Sequence, residues 1–161
     1  MKLAGMEQAN WLSRESWGGE LRSKRGHSHE SEDRPFRIEG RKPRIRVLLV
    51  DDHRVLREGI AGLLKQEPDI EVVGQASDGV CAIEMARSLH PDVILMDVTM
   101  PRMSGIEATR RICHEMPGVR VVGLSMHEDQ EMGAAMRRAG AADYLVKDGP
   151  SHTLVSAIRR N

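Results

Sequence analysis

The sequence predicts an α/β fold in which five β-strands and five α-helices alternate along the chain as (βα)5. Short runs of β-branched and other apolar residues recur along most of the chain, and each is followed by a segment with apolar residues at helical spacing. Alternation of this kind is typical of a parallel sheet covered by helices on both faces. Because crossovers between parallel strands are right-handed, few topologies remain, and we expect a doubly wound sheet of strand order 2-1-3-4-5.

Each predicted strand is a short apolar run bounded by polar or turn residues. The five runs are residues 45–50, 70–75, 92–96, 119–124 and 142–146. Their length of five or six residues is that of ordinary strands in globular proteins. The runs are separated by segments long enough to hold a crossover helix.

The predicted helices cover residues 53–66, 79–89, 104–115, 129–139 and 151–160. In the first of them the apolar residues at helical spacing are Val55, Leu56, Ile60, Leu63 and Leu64. Asp78 and Ser104 are predicted N-caps, because their side chains can accept hydrogen bonds from the first helical turn. Pro117-Gly118 and Gly140 are predicted to end the third and fourth helices.

The composition excludes several classes of protein. The chain has 161 residues with 24 Lys and Arg against 24 Asp and Glu, a formal net charge of zero, so neither nucleic acid nor an anionic membrane is expected as a partner. Two cysteines are too few for a disulfide framework, and Cys81 and Cys113 are expected to be buried free thiols in a cytoplasmic protein. No apolar run approaches the roughly 18 residues that a membrane span needs.

A domain boundary is expected near Pro43-Arg44. Residues 22–35 are almost entirely polar and charged, and such a segment cannot bury enough apolar surface to offset the entropy lost on ordering. We therefore predict that residues 1–44 form a flexible N-terminal arm and that residues 45–161 form one domain.

Five side chains with chemistry of their own follow the predicted strands. In a parallel sheet all strand C-termini lie on one edge, which is where ligands bind. The first strand is followed by Asp51-Asp52, the third by Asp97, the fourth by Ser125 and the fifth by Lys147. Because these strands are neighbours in the expected order, their five side chains should converge.

Three converging carboxylates would repel one another and raise their own pKa values. A hard divalent cation removes this problem, and Mg²⁺ prefers oxygen ligands. Lys147 supplies a further positive charge, and Ser125 supplies a hydroxyl donor. A nucleophilic carboxylate, a metal, a cation and a hydrogen-bond donor are the groups that phosphoryl transfer onto an aspartate requires.

These residues lie in segments that resemble the CheY-like receiver domain of bacterial two-component response regulators, which has the flavodoxin-like fold. The segments are Leu48-Leu49-Val50-Asp51-Asp52-His53, Leu95-Met96-Asp97-Val98-Thr99-Met100-Pro101-Arg102-Met103-Ser104-Gly105, Leu124-Ser125-Met126-His127 and Gly140-Ala141-Ala142-Asp143-Tyr144-Leu145-Val146-Lys147-Asp148. They occur in the order and spacing of that family, and the resemblance extends over residues 45–161. The Asp-Asp-His segment, the Leu-Ser-Met-His segment and the Lys-Asp pair resemble the NarL/FixJ-type subgroup.

The resemblance implies a phospho-acceptor and a metal site. It assigns Asp97 as the residue that accepts a phosphoryl group from a sensor histidine kinase. It assigns Asp52 as a direct Mg²⁺ ligand, Asp51 as a ligand acting mainly through water, and Thr99 as a ligand through its backbone carbonyl. Mg²⁺ is thus the expected cofactor, held by Asp51, Asp52, Asp97 and Thr99.

The resemblance also implies a switch. Lys147 is expected to contact the phosphoryl group, and Ser125 is the hydroxyl that moves toward it. Tyr144, the chain's single tyrosine, is the aromatic residue expected to rotate with Ser125. The reshaped surface would be that of the fourth helix, fifth strand and fifth helix, offered to an unknown downstream protein or to a second copy of the chain. His53 is expected to face solvent.

Other functions compete with a phospho-acceptor. An aspartate-nucleophile phosphatase of the haloacid-dehalogenase type would need an acidic residue two positions after the nucleophile, where this chain has Thr99, so we expect a non-enzymatic protein. A phosphate-independent interaction module would not need the full acidic set or Lys147.

The remaining alternative concerns the ends of the chain. Trp17-Gly18-Gly19-Glu20-Leu21-Arg22 and Phe36-Arg37-Ile38-Glu39 resemble the last part of a histidine-kinase ATPase domain, which would make the chain the receiver portion of a truncated hybrid kinase. A leader unrelated to any kinase is the other interpretation. The expected helix-turn-helix output domain of NarL/FixJ-type regulators is absent from residues 45–161, so we expect no specific DNA binding by them.

Overall fold

The computed structural model describes residues 43–160, and they form the predicted alternation of strands and helices. The predicted N-terminal arm lies almost wholly outside the described residues. The strands are β1 (Ile45–Val50), β2 (Ile70–Ala76), β3 (Val93–Asp97), β4 (Arg120–Ser125) and β5 (Asp143–Val146). The helices are α1 (Arg54–Leu64), α2 (Gly79–Leu89), α3 (Gly105–Glu115), α4 (Gln130–Arg138) and α5 (Ser151–Arg159).

The five strands form one parallel sheet of order β2-β1-β3-β4-β5, which confirms the predicted topology. All five residues of the central strand β3 are buried, as expected for a strand covered on both faces. Helices on both faces shield the sheet, and the core is accordingly divided in two. Among the described residues no helix is both long and apolar enough to cross a bilayer.

Alternate strand residues point to opposite faces and so contribute to two apolar clusters. Leu48, Ile94 and Val121 pack on one face with residues of α2, α3 and α4, among them Ala82, Ile112 and Met136. Leu49, Leu95 and Val122 pack on the other face with Leu64 of α1 and with Val155 and Ile158 of α5. This two-sided packing fixes the sheet and therefore fixes the edge at which its strands end.

The predicted caps are confirmed, but two details of burial differ from the sequence interpretation. Asp78 accepts hydrogen bonds from Val80 N and Cys81 N, and Ser104 accepts one from Glu107 N. Val55, which fits the apolar spacing of α1, is 84% exposed. It lies in the first turn of α1. Cys81 and Cys113 are free thiols but only half-buried.

Candidate functional site

The C-terminal edge of the sheet brings the predicted acidic residues together with one lysine. Strand register places Val50 opposite Met96, Asp97 opposite Leu124, and Ser125 opposite Val146. Asp51 therefore comes directly after the last residue of β1, and Lys147 comes directly after the last residue of β5. The β3–β4 ladder extends to Asp97, one residue past the predicted end of the strand.

Lys147 reaches across the edge to two carboxylates. Its Nζ lies 2.8 Å from Asp51 Oδ2 and 3.0 Å from Asp97 Oδ2, and all three side chains are at most 4% exposed. Although Asp51 Oδ2 and Lys147 Nζ are within ion-pair distance, neither atom has a hydrogen-bond partner. A single ammonium group thus faces two buried carboxylates, and neither Lys147 nor Asp51 satisfies its full hydrogen-bonding capacity.

Asp97 has a pKa raised mainly by its burial. Burial raises the pKa of Asp97 above that of an ordinary aspartate, and the nearby Asp51 carboxylate raises it further. The Lys147 ammonium and the Thr99 N–H, which donates to Asp97 Oδ1 over 3.2 Å, oppose that rise without cancelling it. The site therefore favours an additional positive charge close to Asp97.

The donor set fits a divalent cation. Ligand atoms of Asp51, Asp52, His53 and Asp97 all lie within 4.8 Å of one another. The buried carboxylates of Asp51 and Asp97 share the single Lys147 ammonium, and buried carboxylates in excess of their partner cations are costly unless they coordinate a metal. Carboxylate and carbonyl oxygens are the ligands that Mg²⁺ prefers. The residues present therefore fit Mg²⁺.

His53 lies closer to this cluster than its sequence position suggested. Its side chain is 67% exposed, yet Nδ1 lies 3.0 Å from Asp52 Oδ1 and 3.6 Å from Asp51 Oδ1. The His53 backbone N–H also donates to Asp51 Oδ1 over 2.7 Å. The imidazole is therefore mostly exposed to solvent, as expected, but its Nδ1 lies beside the carboxylates of Asp51 and Asp52.

The loop after Asp97 is held by contacts that sequence reasoning missed. Arg102 pairs with the buried Asp78 carboxylate at the start of α2, and Arg102 itself has φ +67°. A Cβ on Gly105 would lie 1.9 Å from the Asp97 carbonyl oxygen, so only glycine allows α3 to start so close to the end of β3. The loop is thus fixed both at α2 and at the backbone of Asp97. No local signal marks the Arg102–Asp78 pair, whose members are 24 residues apart.

The two predicted switch residues lie on neighbouring strands, β4 and β5. Ser125 is half-buried and its Oγ accepts a long hydrogen bond from His127 N at 3.4 Å. The Tyr144 ring lies between β4 and α4, where a Cβ on Gly133 would come within 3.0 Å of it. The Tyr144 hydroxyl donates to the His127 carbonyl over 3.4 Å. Both side chains are therefore in contact with the loop that connects β4 to α4.

Comparison with known proteins adds independent information. The profile of the response regulator receiver domain matches residues 47–159. Over 115 residues, or 71% of this chain, the chain is 45% identical to the transcriptional regulatory protein LiaR of Bacillus subtilis and 44% identical to the response regulator UvrY of Escherichia coli. These matches cover 54% and 53% of the two relatives, so the chain spans about half the length of the curated relatives it matches.

Solved structures show the same architecture. The signal receiver domain of the putative response regulator NarL from Mycobacterium tuberculosis superposes with a TM-score of 0.70 at 32% identity, covering 73% of this chain and 94% of that one. A LuxR-family two-component response regulator from Aurantimonas sp. SI85-9A1 gives a TM-score of 0.69 at 36% identity, covering 71% and 82% of the two chains. The resemblance to NarL-type receivers noted from the sequence is thereby confirmed.

Proposed function

Because the chain belongs to the response regulator receiver domain family, we propose that Asp97 is its phospho-acceptor in a two-component phosphorelay. The observation that carries this assignment is the convergence of Asp97 with Asp51, Asp52 and Lys147 at one edge of the sheet. Asp97 ends the central strand β3, where the surrounding ladder holds its backbone rigidly. The carboxylate is therefore presented at a fixed position beside a fixed ammonium group.

The proposed reaction moves a phosphoryl group from a histidine of a sensor kinase. An oxygen of the Asp97 carboxylate attacks phosphorus, a P–O bond forms, and the P–N bond to the kinase imidazole breaks with its electron pair remaining on nitrogen. The product is an acyl phosphate on Asp97. Lys147, whose Nζ is 3.0 Å from Asp97 Oδ2, would pair with an oxygen of the transferred group and stabilise its charge.

The same residues account for a cofactor requirement. We propose that Asp52 and Asp97 bind Mg²⁺ directly through carboxylate oxygens, Thr99 through its backbone carbonyl, and Asp51 mainly through water. When bound, Mg²⁺ would neutralise charge on the phosphoryl oxygens during transfer. The raised pKa of Asp97 and the presence of two buried carboxylates beside one ammonium group support this proposal.

Phosphorylation would act on the rest of the domain through Ser125 and Tyr144. We propose that the Ser125 hydroxyl donates to a phosphoryl oxygen in the phosphorylated state and that Tyr144 changes rotamer with it. Both side chains contact the β4–α4 loop, which gives them a common element to move. The change is a shift between two pre-existing conformations, biased by the new charge at Asp97.

The partners follow from this reaction and this switch. The phosphodonor is a sensor histidine kinase, and the output is proposed to pass through the surface formed by α4, β5 and α5 to a downstream protein or a second copy of the chain. β5 is an edge strand whose four residues are all half-buried, so this surface has apolar area to offer. Residues 43–160 are proposed to make no specific DNA contacts.

A phosphatase activity is not favoured. Thr99 occupies the position two residues after Asp97 where an aspartate-nucleophile phosphatase has its general acid, and a threonine hydroxyl does not titrate in the range that general acid–base catalysis needs. Thr99 contacts Asp97 through its backbone N–H. We expect a stoichiometric acceptor rather than an enzyme that turns over phosphomonoesters.

Phosphorylation with a small-molecule donor tests the proposal without needing the cognate kinase. The chain would be incubated with acetyl phosphate labelled on phosphorus, with and without EDTA. Wild type and Asp148→Asn, a control at an exposed carboxylate, should incorporate label only when Mg²⁺ is present. Asp97→Asn should incorporate no label under either condition. Equal labelling of wild type and Asp97→Asn would overturn the assignment.

A further inference from the structure

The imidazole of His53 has a metal-binding atom aimed at the acidic cluster. His53 is the N-cap residue of α1, but its side chain forms no capping hydrogen bond, so the ring is free to turn toward the carboxylates. Its Nδ1 lies 3.0 Å from Asp52 Oδ1 and 3.6 Å from Asp51 Oδ1. Neither the receiver fold nor the proposed phosphoryl transfer uses this nitrogen.

The spacing of these atoms is that of ligands on one ion. Bonds of about 2.1 Å, which are usual for Mg²⁺–oxygen and Zn²⁺–nitrogen contacts, place adjacent octahedral ligands about 3.0 Å apart. His53 Nδ1 and Asp52 Oδ1 are separated by that distance. Ligand atoms of Asp51 and Asp97 complete a set in which all four lie within 4.8 Å of one another.

A second observation indicates that a ligand is missing from this cluster. Lys147 Nζ lies 2.8 Å from the buried Asp51 Oδ2 and 3.0 Å from Asp97 Oδ2, yet Asp51 Oδ2 and Lys147 Nζ form no hydrogen bond of normal geometry. One buried ammonium group therefore faces two buried carboxylates, and an incompletely satisfied buried group of this kind indicates an ion or water that completes the site. The cluster is therefore a built site and not simply a group of surface acids.

We propose that His53 Nδ1 is a direct ligand of the divalent ion, so that the cluster also accepts transition ions that prefer imidazole. This inference rests on the metal site of the proposed function but not on phosphorylation. Carboxylates and carbonyls suit Mg²⁺ and Mn²⁺, whereas imidazole suits Zn²⁺, Ni²⁺ and Cu²⁺. His53 would thus add nitrogen to an otherwise all-oxygen site and broaden its selectivity.

The competing interpretation is an ordinary hydrogen bond. If Nδ1 carries a proton, it donates to Asp52 Oδ1 over the same 3.0 Å, and the imidazole would then turn away when an ion binds. The two interpretations differ in one observable, which is whether nitrogen is bonded to the bound ion.

Pulsed electron paramagnetic resonance of the Mn²⁺-loaded chain measures that bond directly, because a coordinated imidazole gives a ¹⁴N coupling. The variants are His53→Gln and, as a control at an exposed histidine of α5, His152→Gln. Wild type and His152→Gln should show the nitrogen coupling, and His53→Gln should lack it while still binding Mn²⁺. Absence of the coupling in wild type, its persistence in His53→Gln, or failure of wild type to bind Mn²⁺ would each overturn the inference.

Calorimetric titration gives a second, independent measurement. His53→Gln should weaken Ni²⁺ binding by about tenfold or more, since loss of even an outer partner of a metal ligand costs that much. Mg²⁺ affinity should change much less, because Mg²⁺ gains little from a nitrogen donor. Equal changes for both ions would overturn the inference. If the nitrogen coupling is seen but Asp97 is not labelled by acetyl phosphate, the His53 inference stands and the phospho-acceptor assignment is contradicted.

Discussion

Lys147 Nζ lies 3.0 Å from Asp97 Oδ2, and the two side chains are 2% and 4% exposed. A second buried carboxylate, Asp51, is 2.8 Å from the same nitrogen. One cation thus compensates two buried anions, and the balance of charge at the end of β3 depends on this lysine until a metal binds. The first two predictions follow from that balance.

Replacing the ammonium should destabilise the domain. In EDTA at neutral pH, Lys147→Gln should lower the free energy of unfolding by about 3–5 kcal/mol, because removing one partner leaves buried charge unpaired. Lys65→Gln, at an exposed lysine, should change it by less than about 0.5 kcal/mol. Urea denaturation measures both. Equal effects of the two variants would contradict the role given to Lys147.

Removing the Asp97 charge should do the reverse. Burial raises the folded-state pKa of Asp97, so ionisation of Asp97 destabilises the folded domain. This destabilisation is absent below the ordinary carboxyl pKa of about 3.9, develops as the pH rises through the raised pKa, and is complete above the raised pKa. Asp97→Asn should therefore stabilise the metal-free domain at neutral pH, and the gain should vanish in acid. Thermal melts across pH, with Asp148→Asn as control, measure it. A destabilised Asp97→Asn variant at neutral pH would contradict this prediction.

The Asp78 carboxylate should be a stronger cap than others in the chain. It accepts from two backbone N–H groups and pairs with Arg102 while only 4% exposed, whereas the exposed Asp129 accepts only from Met132 N. Asp78→Ala should cost at least the roughly 1 kcal/mol typical of a lost N-cap, and more than Asp129→Ala. Chemical denaturation of the two variants compares them. The opposite order of stability would mean that the Asp78–Arg102 contact contributes nothing.

Glycine is required at the start of α3 but not in α1. A Cβ on Gly105 would meet the Asp97 carbonyl oxygen at 1.9 Å, whereas nothing lies within 4 Å of a Cβ on Gly62. Gly105→Ala should destabilise the domain by more than the roughly 1–3 kcal/mol typical of overpacking, because backbone must move. Gly62→Ala should stabilise it by about 0.5–1 kcal/mol, since alanine favours helix. Thermal denaturation of both variants gives the two signs, and a tolerated Gly105→Ala would contradict the packing described here.

Much of the fold follows from periodicity. The apolar runs define strand ends to within a residue or two, and strand ends in a parallel sheet share one edge. Asp51, Asp97 and Lys147 could therefore be brought together from sequence alone. The family resemblance then supplied proposed roles that spacing could not suggest, such as those of Thr99 and Tyr144.

What sequence could not provide are contacts between distant residues and the path of the loops. Nothing local to Arg102 indicates Asp78 as its partner or a left-handed backbone at that position. The rotamer of His53 is also set by the folded edge rather than by its neighbours in sequence. Val55 fits the helical apolar spacing of α1, yet it is exposed, and spacing alone could not show how far along the helix the buried face extends.

The most direct test of the phospho-acceptor assignment is to identify the modified residue itself. The chain would be phosphorylated with acetyl phosphate and Mg²⁺, and the acyl phosphate trapped by borohydride reduction, which converts a phosphorylated aspartate to homoserine. Peptide mapping by mass spectrometry should then find the converted residue at position 97 and aspartate retained at positions 51, 52 and 148. Conversion at another aspartate, with Asp97 unmodified, would contradict the account.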